Sequence, residues 1–387
     1  MQYAPTESFP IFQSGDVYIK SSLTPKHWQL HSAILARHSP WFARSLQQEP
    51  GDKDGPAWFS YTIEEVEGKI GLVRQQVNGE RPQALHGDVV TNITIKDEEN
   101  DIKAAPSKDY NAVYNHVFGT FYSIPPPIDP SIPTALTQSE QLVETAQTLG
   151  SLHLLTPYIS NALLSSRQSL FRAISADPAR WLLLATAIEN DSIYTEALIH
   201  LAGAPPSWPG STPTKRAAVP EEIRHLIERK SRELDQLCME TERDLLLLTI
   251  QCARGGPVQP HENNQFDTWF IVQTFRDVLA REFYALHNNS LKRGAVFCKI
   301  RQGGIAYMEY EEMRRLMERV MPGAIESLSE DLALLKRSAS EIVEDLAVNE
   351  LMLDVEAKTS SKVGYLTCTK VDVEDIPWRA GGRQSEV

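Results

Sequence analysis

His31 and Ser39 lie in the stretch HSAILARHSPWF (31–42), and their types could supply the base and the nucleophile of a hydrolase. Such a base needs its own orienting partner and a substrate cavity, and neither is visible in the sequence. Ser39-Pro40 is typical of a helix start, because the serine can accept a hydrogen bond from a free amide and proline lacks an N–H that would need a partner. We predict that Ser39 caps a helix.

A metal site is the second chemical interpretation of this region. His27, His31 and His38 lie close together in sequence, and Asp16 could join them. Their expected positions on a strand, a helix cap and a helix end would not bring them around one ion. We therefore predict no metal here.

Other chemical motifs are weak or missing. RQGGIAY (301–307) has two glycines but no Gly-Lys-Ser/Thr, so it indicates a turn, and His261-Glu262 follows a proline in a polar loop. Neither Gly-x-Ser-x-Gly nor His-Glu-x-x-His occurs. We predict a protein that is not an enzyme, with no catalytic residue, no cofactor and no small-molecule substrate.

The charge balance limits the partners. Fifty-one acidic residues against 38 basic ones give the 387-residue chain a net charge of −13, which repels nucleic acid and anionic membranes. The four cysteines form no CxxC pair, and we find no signal peptide and no apolar run of bilayer length. We expect an intracellular protein of the cytoplasm or nucleus that binds neither nucleic acid nor membrane.

Hydrophobic periodicity predicts strands and then helices in the first part of the chain. DVYIK (16–20) alternates as a half-buried strand does, and HWQLH (27–31) follows a turn, so 16–31 is predicted to be a hairpin. Helices are predicted at 32–37, from Pro40 onward with Trp41 and Phe42 inward, at 110–124 and as a pair within 139–164 broken at Gly150. Further strands are predicted at 57–63 and 89–95.

This order of residues resembles the BTB/POZ domain family. The resemblance rests on Asp16 with its strand, on the spacing H-x3-L-x3-S-x2-F made by His31, Leu35, Ser39 and Phe42, and on a later helix carrying Val143, Ala146 and Leu149. It covers about 14–165, and the helices that follow are similar to those of fungal BTB proteins. It implies a hairpin-and-helix fold for self-association and partner docking, in which His31 is a packed core residue.

Three features depart from the family pattern. The segment 64–105 is long and charged, as an insertion would be. The N-terminus before the first strand is short for the swapped element of dimeric members, so we expect weak or no self-association of 1–165. Where cullin-binding members carry a hydrophobic-x-Glu motif, Ile124 precedes three prolines.

The rest of the chain is predicted to be mostly helical. Residues 181–188 are almost entirely apolar and thus expected in a core, and 220–250 begin with Pro-Glu-Glu, a good helix start. The stretch 326–353 repeats apolar residues at spacings of four and three, with one asparagine in the seam. The seam residues are Leu328, Leu332, Leu335, Ala339, Ile342, Leu346, Asn349 and Leu353. We favour packing on 220–250 over an intermolecular coiled coil.

The predicted fold class is α+β: a BTB/POZ-like hairpin-and-helix domain followed by a mostly α-helical region. The predicted regions are a flexible N-terminus (1–13), the BTB/POZ-like domain (14–165), a helical domain (166–253), a helical region (265–356) and a C-terminal extended segment and tail (357–387). Within the last of these, 365–378 either joins a sheet edge as a short strand or stays extended.

The predicted function is protein–protein interaction, with other proteins as partners, among them a cullin or a second copy of the chain. Two alternatives within this class are a substrate adaptor of a cullin-type ubiquitin ligase and a transcription co-regulator that acts through partners without DNA contact. The third is an enzyme hosted by the helical region.

Overall fold

The computed structural model describes residues 9–47, 59–66, 69–75, 109–253, 255–262, 264–286, 290–355 and 363–380. The chain forms two compact units. One contains residues 1–170 and 184–190, and the other contains 171–183 and 191–387. The predicted α+β class is confirmed, with a small N-terminal sheet followed by mostly helical structure.

A four-stranded sheet forms the base of the first unit. Its strands are β1 (Val17–Ser21), β2 (His27–Leu30), β3 (Phe59–Val66) and β4 (Lys69–Arg74), in the order β2-β1-β3-β4. The predicted hairpin is confirmed as β1 and β2, which are antiparallel with Val17 opposite Leu30. β3 confirms the predicted strand at 57–63 and runs parallel to β1, while β4 is antiparallel to β3.

Five helices of the first unit cover this sheet. They are α1 (Ser32–His38), α2 (Pro40–Leu46), α3 (Tyr110–Phe121), α4 (Ile132–Leu149) and α5 (Leu152–Ser165), close to the predicted positions. The break at Gly150 is confirmed: its φ of 68° is left-handed, which glycine adopts without steric cost at a helix C-terminus. α3 packs against α4 and α5, and α2 packs against α4.

The structure differs from two boundaries predicted for this unit. Within the predicted N-terminus 1–13, residues 10–12 contact the hairpin: the Phe12 amide donates to Gln29 O at 3.0 Å, the Gln29 amide donates to Pro10 O, and Ile11 bridges to Gln29. The insertion cannot begin at 64, because β3 continues to Val66 and β4 follows. Residues 76–108, with the strand predicted at 89–95, lie outside the described residues.

The second unit is built from helices around one apolar core. α6 (Gln168–Ala176) and α7 (Pro178–Ala187) span the division between the units. The following helices are α8 (Asp191–Gly203), α9 (Pro213–Ala218), α10 (Glu221–Leu247), α11 (Phe266–Leu286), α12 (Arg293–Gln302), α13 (Tyr310–Val320), α14 (Ile325–Ile342) and α15 (Pro377–Ala380). Short 3-10 turns occupy Ser290–Lys292, Pro322–Ala324, Asp345–Ala347 and Val373–Asp375.

The predicted division of the helical part into 166–253, 265–356 and 357–387 does not separate compact units. Side chains from α10, α11, α12 and α14 and from the C-terminal segment share a single core that runs from Leu234 to Leu366. α10 confirms the helix predicted at 220–250. Of the two alternatives for the segment near 365–378, the strand at a sheet edge does not form, because 363–372 is irregular and a 3-10 turn and α15 follow it.

The helix predicted over 326–353 is half correct. α14 ends at Ile342, and the chain then turns through Asp345–Ala347 into a loop. In that loop the Asn349 side chain accepts a hydrogen bond from the Leu351 amide at 3.3 Å and donates to Leu353 O at 3.3 Å. Such local bonding competes with helix formation, so Asn349 is a loop residue and not a seam residue.

Candidate functional site

Ser39 lies buried between α1 and α2 and is the N-cap of α2, as predicted. Its Oγ accepts a hydrogen bond from the Phe42 amide at 3.2 Å and donates to Leu149 O, the last residue of α4, at 2.5 Å. The hydroxyl proton is therefore held by a backbone carbonyl in the core. His31 is bonded elsewhere, so these two residues do not form a nucleophile-and-base pair.

Asp16 joins the start of the sheet to the start of α1. Its carboxylate accepts hydrogen bonds from the Ser32 amide at 2.6 Å and from the Ser32 hydroxyl at 2.5 Å. A carboxylate beside the free amides of a first helical turn is stabilising. Asp16 therefore has a structural role and is not a metal ligand alongside the histidines.

His31 contacts two hydroxyl groups at the surface of the first unit. Its Nε2 is 3.0 Å from Ser14 Oγ, and its Nδ1 is 3.2 Å from the hydroxyl of Tyr122, which also accepts a hydrogen bond from the His31 amide. The ring packs against Phe12 with centroids 4.9 Å apart. His31 is half-buried, so the expectation of a packed core residue is wrong.

The Ser14–His31 contact has the distance of a serine–histidine pair, but its third member is unsuited to orient a base. Burial, to which the charge of Asp16 adds, raises the pKa of Tyr122 to about 12 despite the hydrogen bond from the His31 amide. Tyr122 is therefore a neutral phenol at physiological pH. It supplies no negative charge to stabilise an imidazolium, which the aspartate of a catalytic triad does.

The apolar residues of the motif lie in the core of the first unit. Leu35, Phe42 and Ala146 are fully buried. The Phe42 ring meets Tyr61 of β3 edge to face, with centroids 5.5 Å apart. Of the four residues in the spacing H-x3-L-x3-S-x2-F, Leu35 and Phe42 are core side chains, Ser39 is a buried helix cap, and His31 is half-buried at the surface.

The seam residues of α14 also face their own unit. Leu328, Leu332, Leu335 and Ala339 are buried in the core of the second unit, where α14 packs mainly against α11 and also contacts α10, α12 and α13. Packing within the chain is thus confirmed, with α11 as the main partner instead of 220–250. Ile342 is half-buried at the helix end, and Leu346 and Leu353 are buried beyond it.

A buried polar chain in the second unit was missed at the sequence level. The Glu196 carboxylate accepts hydrogen bonds from the amides of Met352 at 2.7 Å and Leu353 at 3.1 Å, and it lies 3.7 Å from His200 Nε2. His200 Nδ1 is 2.7 Å from the Tyr365 hydroxyl. This carboxylate–imidazole–phenol order resembles a proton relay, but burial raises the pKa of Tyr365 well above its usual range.

These three side chains hold the C-terminal segment. Gly203, at the end of α8, lets that segment approach, because a Cβ there would lie 2.0 Å from Leu366 O. Further along, Asp375 accepts from Lys230 Nζ at 2.7 Å and from Arg229 at 3.0 Å. Burial alone would raise the pKa of Asp375, but its hydrogen bonds from Lys230 and the Asp372 amide, with the charges of Lys230 and Arg229, lower it.

Part of the Glu196–His200–Tyr365 group could have been predicted from the sequence. Glu196 and His200 are four residues apart in EALIHLAG (196–203), an otherwise apolar stretch, so both side chains would be buried together. Their partners Met352 and Tyr365 lie more than 150 residues away along the chain, where no local pattern points to them.

Two further findings bear on function. Within the described ranges, no group of three or more His, Cys, Asp or Glu side chains could hold a metal ion. Among the same residues, no helix combines the length and apolar content that a bilayer span requires.

Sequence and structure were also compared with known proteins. No protein-family model matches the sequence, and neither a curated protein nor a solved structure matches the chain.

Proposed function

We propose that this chain is a non-enzymatic protein–protein interaction protein whose first unit is a BTB/POZ-like domain. The observation that carries the proposal is the buried contact from Ser39 Oγ to Leu149 O. It joins the two stretches on which the resemblance rests, the H-x3-L-x3-S-x2-F segment and the later helix α4. Asp16 and Ser39, two polar residues of the motif, make structural hydrogen bonds, which supports docking over catalysis as the role of this unit.

The partner is another protein. The net charge of −13 disfavours phosphate backbones and anionic lipid surfaces, so recognition rests on surface complementarity with a polypeptide. A cullin and a transcriptional regulator are the two partner classes that the experiment below distinguishes.

The test is affinity purification with mass spectrometry on the full chain and two variants that each damage one unit. Phe42→Ala removes a fully buried ring from the first unit, and Leu332→Ala removes a buried side chain from the second. Phe42→Ala should cost about 3–5 kcal/mol and Leu332→Ala about 2–5 kcal/mol. We expect specific partners of the wild type to be lost with Phe42→Ala and retained with Leu332→Ala.

Circular dichroism checks that each variant keeps the other unit folded. Recovery of the same partners with Phe42→Ala would contradict the proposal. So would loss of the partners with Leu332→Ala alone, since docking would then belong to the second unit. Recovery of a cullin that depends on Phe42 would identify the adaptor role.

A further inference from the structure

Two cysteines of the second unit belong to elements that pack on each other. Cys298 lies on α12 and Cys368 lies in the C-terminal segment 363–372, and both are thiols in the structure. Cys298 is exposed, whereas Cys368 is half-buried against the core of the second unit. An oxidant in solution therefore reaches Cys298 first. The two residues are far apart in the sequence, so only the fold can bring them together.

The C-terminal segment meets α12 at the first turn of that helix. The Ala295 amide donates a hydrogen bond to Gly364 O at 3.0 Å. A Cβ at Gly294 would lie 2.3 Å from Tyr365 O, so only glycine allows this close approach. Residues four apart on a helix share one face, with Cβ atoms about 5–6 Å apart. Cys298 therefore lies one turn beyond Gly294, on the face that the segment contacts.

A second backbone contact fixes the part of the segment next to Cys368. The Glu350 amide donates a hydrogen bond to Thr367 O at 3.0 Å, which holds the residue that precedes Cys368. The chain reaches Glu350 from the 3-10 turn Asp345–Ala347, and that turn packs against α12. The segment is thus held beside α12 on both sides of Leu366, a residue of the core.

Electrostatic coupling agrees with this placement of the thiols. Burial raises the pKa of Cys368 to about 11, and among the neighbouring charges that of Cys298 raises it most, ahead of Glu350 and Asp345. Cys238 on α10 is also nearby, and burial raises its pKa to about 12. Among the charges that add to this effect, Cys368 contributes least. Both comparisons favour Cys298 over Cys238 as the partner of Cys368.

We propose that Cys298 and Cys368 are an oxidisable pair that closes into a disulfide when hydrogen peroxide reaches the exposed thiol. First, the Cys298 thiolate attacks the O–O bond, which gives a sulfenic acid and a hydroxide that takes up the proton of the former thiol. The Cys368 sulfur then attacks the sulfenic sulfur, the S–O bond breaks, and the leaving hydroxide takes the Cys368 proton. Each sulfur loses one electron, and the peroxide is reduced to two molecules of water.

The disulfide would fix the C-terminal segment on α12. It would close a loop that contains α13 and α14, and a cross-link between distant residues restricts the unfolded chain. Oxidation therefore stabilises the second unit, and a thiol reductant reverses the effect.

The experiment is treatment of the full chain with hydrogen peroxide, followed by alkylation of the remaining thiols, digestion without reduction and mass spectrometry. We expect a cross-linked pair of peptides that contain Cys298 and Cys368, lighter by two hydrogen atoms than the sum of the two peptides. Dithiothreitol should separate the pair. The oxidised chain should unfold at a temperature about 5 °C or more above that of the reduced chain.

Two variants test the assignment. Cys368→Ser should abolish both the cross-link and the rise in unfolding temperature. Cys252→Ser is the matched control, because Cys252 is also half-buried against this core but its Sγ donates to Gln265 at 3.2 Å, and it should change neither. A cross-link between Cys238 and Cys368, a dimer linked through Cys298, or sulfinic acid at Cys298 without a cross-link would overturn the proposal. If a variant does not fold, the peptides of the oxidised wild-type chain decide.

Discussion

At the scale of single residues, the side chains that could take part in catalysis already make hydrogen bonds that stabilise the fold. Ser39 Oγ both caps α2 and bonds the end of α4, and Asp16 holds the first turn of α1. A group that is both buried and fully hydrogen-bonded is costly to free for a reaction. The same is true of Glu196, whose two oxygens accept hydrogen bonds from backbone amides.

Replacing Ser39 with alanine should therefore destabilise the first unit. Ser39→Ala removes a helix cap and leaves the buried Leu149 carbonyl without its donor, which together cost about 1–3 kcal/mol. Urea unfolding followed by circular dichroism measures the change. Ser165→Ala is the control, because that exposed hydroxyl bonds only a carbonyl of its own helix, and it should change the free energy of unfolding by about 0.5 kcal/mol or less. Unchanged stability of Ser39→Ala would speak against a structural serine.

Asp375 makes the stability of the second unit depend on acid pH. Its pKa is lower in the folded chain than the ordinary value of 3.8, so its stabilising contribution is present above that value and is lost as the pH falls through the folded pKa. Asp375→Asn should be less stable than wild type at about pH 6, and the difference should shrink below about pH 3. Thermal melts of both proteins across this range provide the measurement. A difference that is constant with pH would show that the charge of Asp375 is not involved.

At the scale of elements, α14 shows that an amphipathic pattern does not predict which element or chain packs against its apolar face. Spacings of four and three place Leu328, Leu332 and Leu335 on one stripe, which is equally suited to a second chain or to the same chain's core. In the structure the stripe is covered by α11. The seam is therefore not available for an intermolecular coiled coil.

Two leucines of α14 provide a matched test of that statement. Leu332 is 3% exposed and Leu334 is 44% exposed. Leu332→Ala should destabilise the second unit by about 2–5 kcal/mol, whereas Leu334→Ala should stay within about 0.5 kcal/mol of wild type. Chemical unfolding gives both values. Unfolding of the wild type at several protein concentrations checks that its midpoint does not depend on self-association, and light scattering reports the self-association itself. A concentration-dependent midpoint that Leu332→Ala abolishes would instead support a coiled coil.

At the scale of the whole molecule, the charge decides which surfaces the chain can approach. With 51 acidic and 38 basic residues, it carries a long-range field that repels polyanions. In the second unit, Lys230 and Arg229 are both paired with Asp375. Under the proposed function, we expect the binding partners to be proteins.

The full chain should not bind nucleic acid at physiological salt. We expect no shift of a labelled double-stranded DNA or of a single-stranded RNA in gel electrophoresis at about 0.15 M salt, because no net counterion release drives the association. A basic DNA-binding domain on the same probes is the positive control. A shift of either probe that weakens steeply as the salt is raised would contradict this expectation and would indicate a local basic patch.

Elements whose signals are local were predicted well. The hairpin of β1 and β2, the cap at Ser39, the break at Gly150 and the start of α10 each depend on residues within a few positions of one another. The helix predicted over 326–353 was wrong beyond Ile342, where α14 ends although the apolar repeat continues to Leu353. There the tertiary burial of Leu346 and Leu353 and the hydrogen bonds of Asn349 outweighed the helical pattern.

The sequence by itself determined the β1–β2 hairpin, β3, the helices α1 to α5 and the α+β class, because hydrophobic periodicity and capping residues act over short stretches, but it gave no signal for β4. Only the tertiary structure decided that β3 lies parallel to β1, that α11 covers the α14 seam and that Glu196, His200 and Tyr365 meet. These are contacts between residues far apart in the chain. Their free energy arises from burial and hydrogen bonding that exist only once the whole unit has folded.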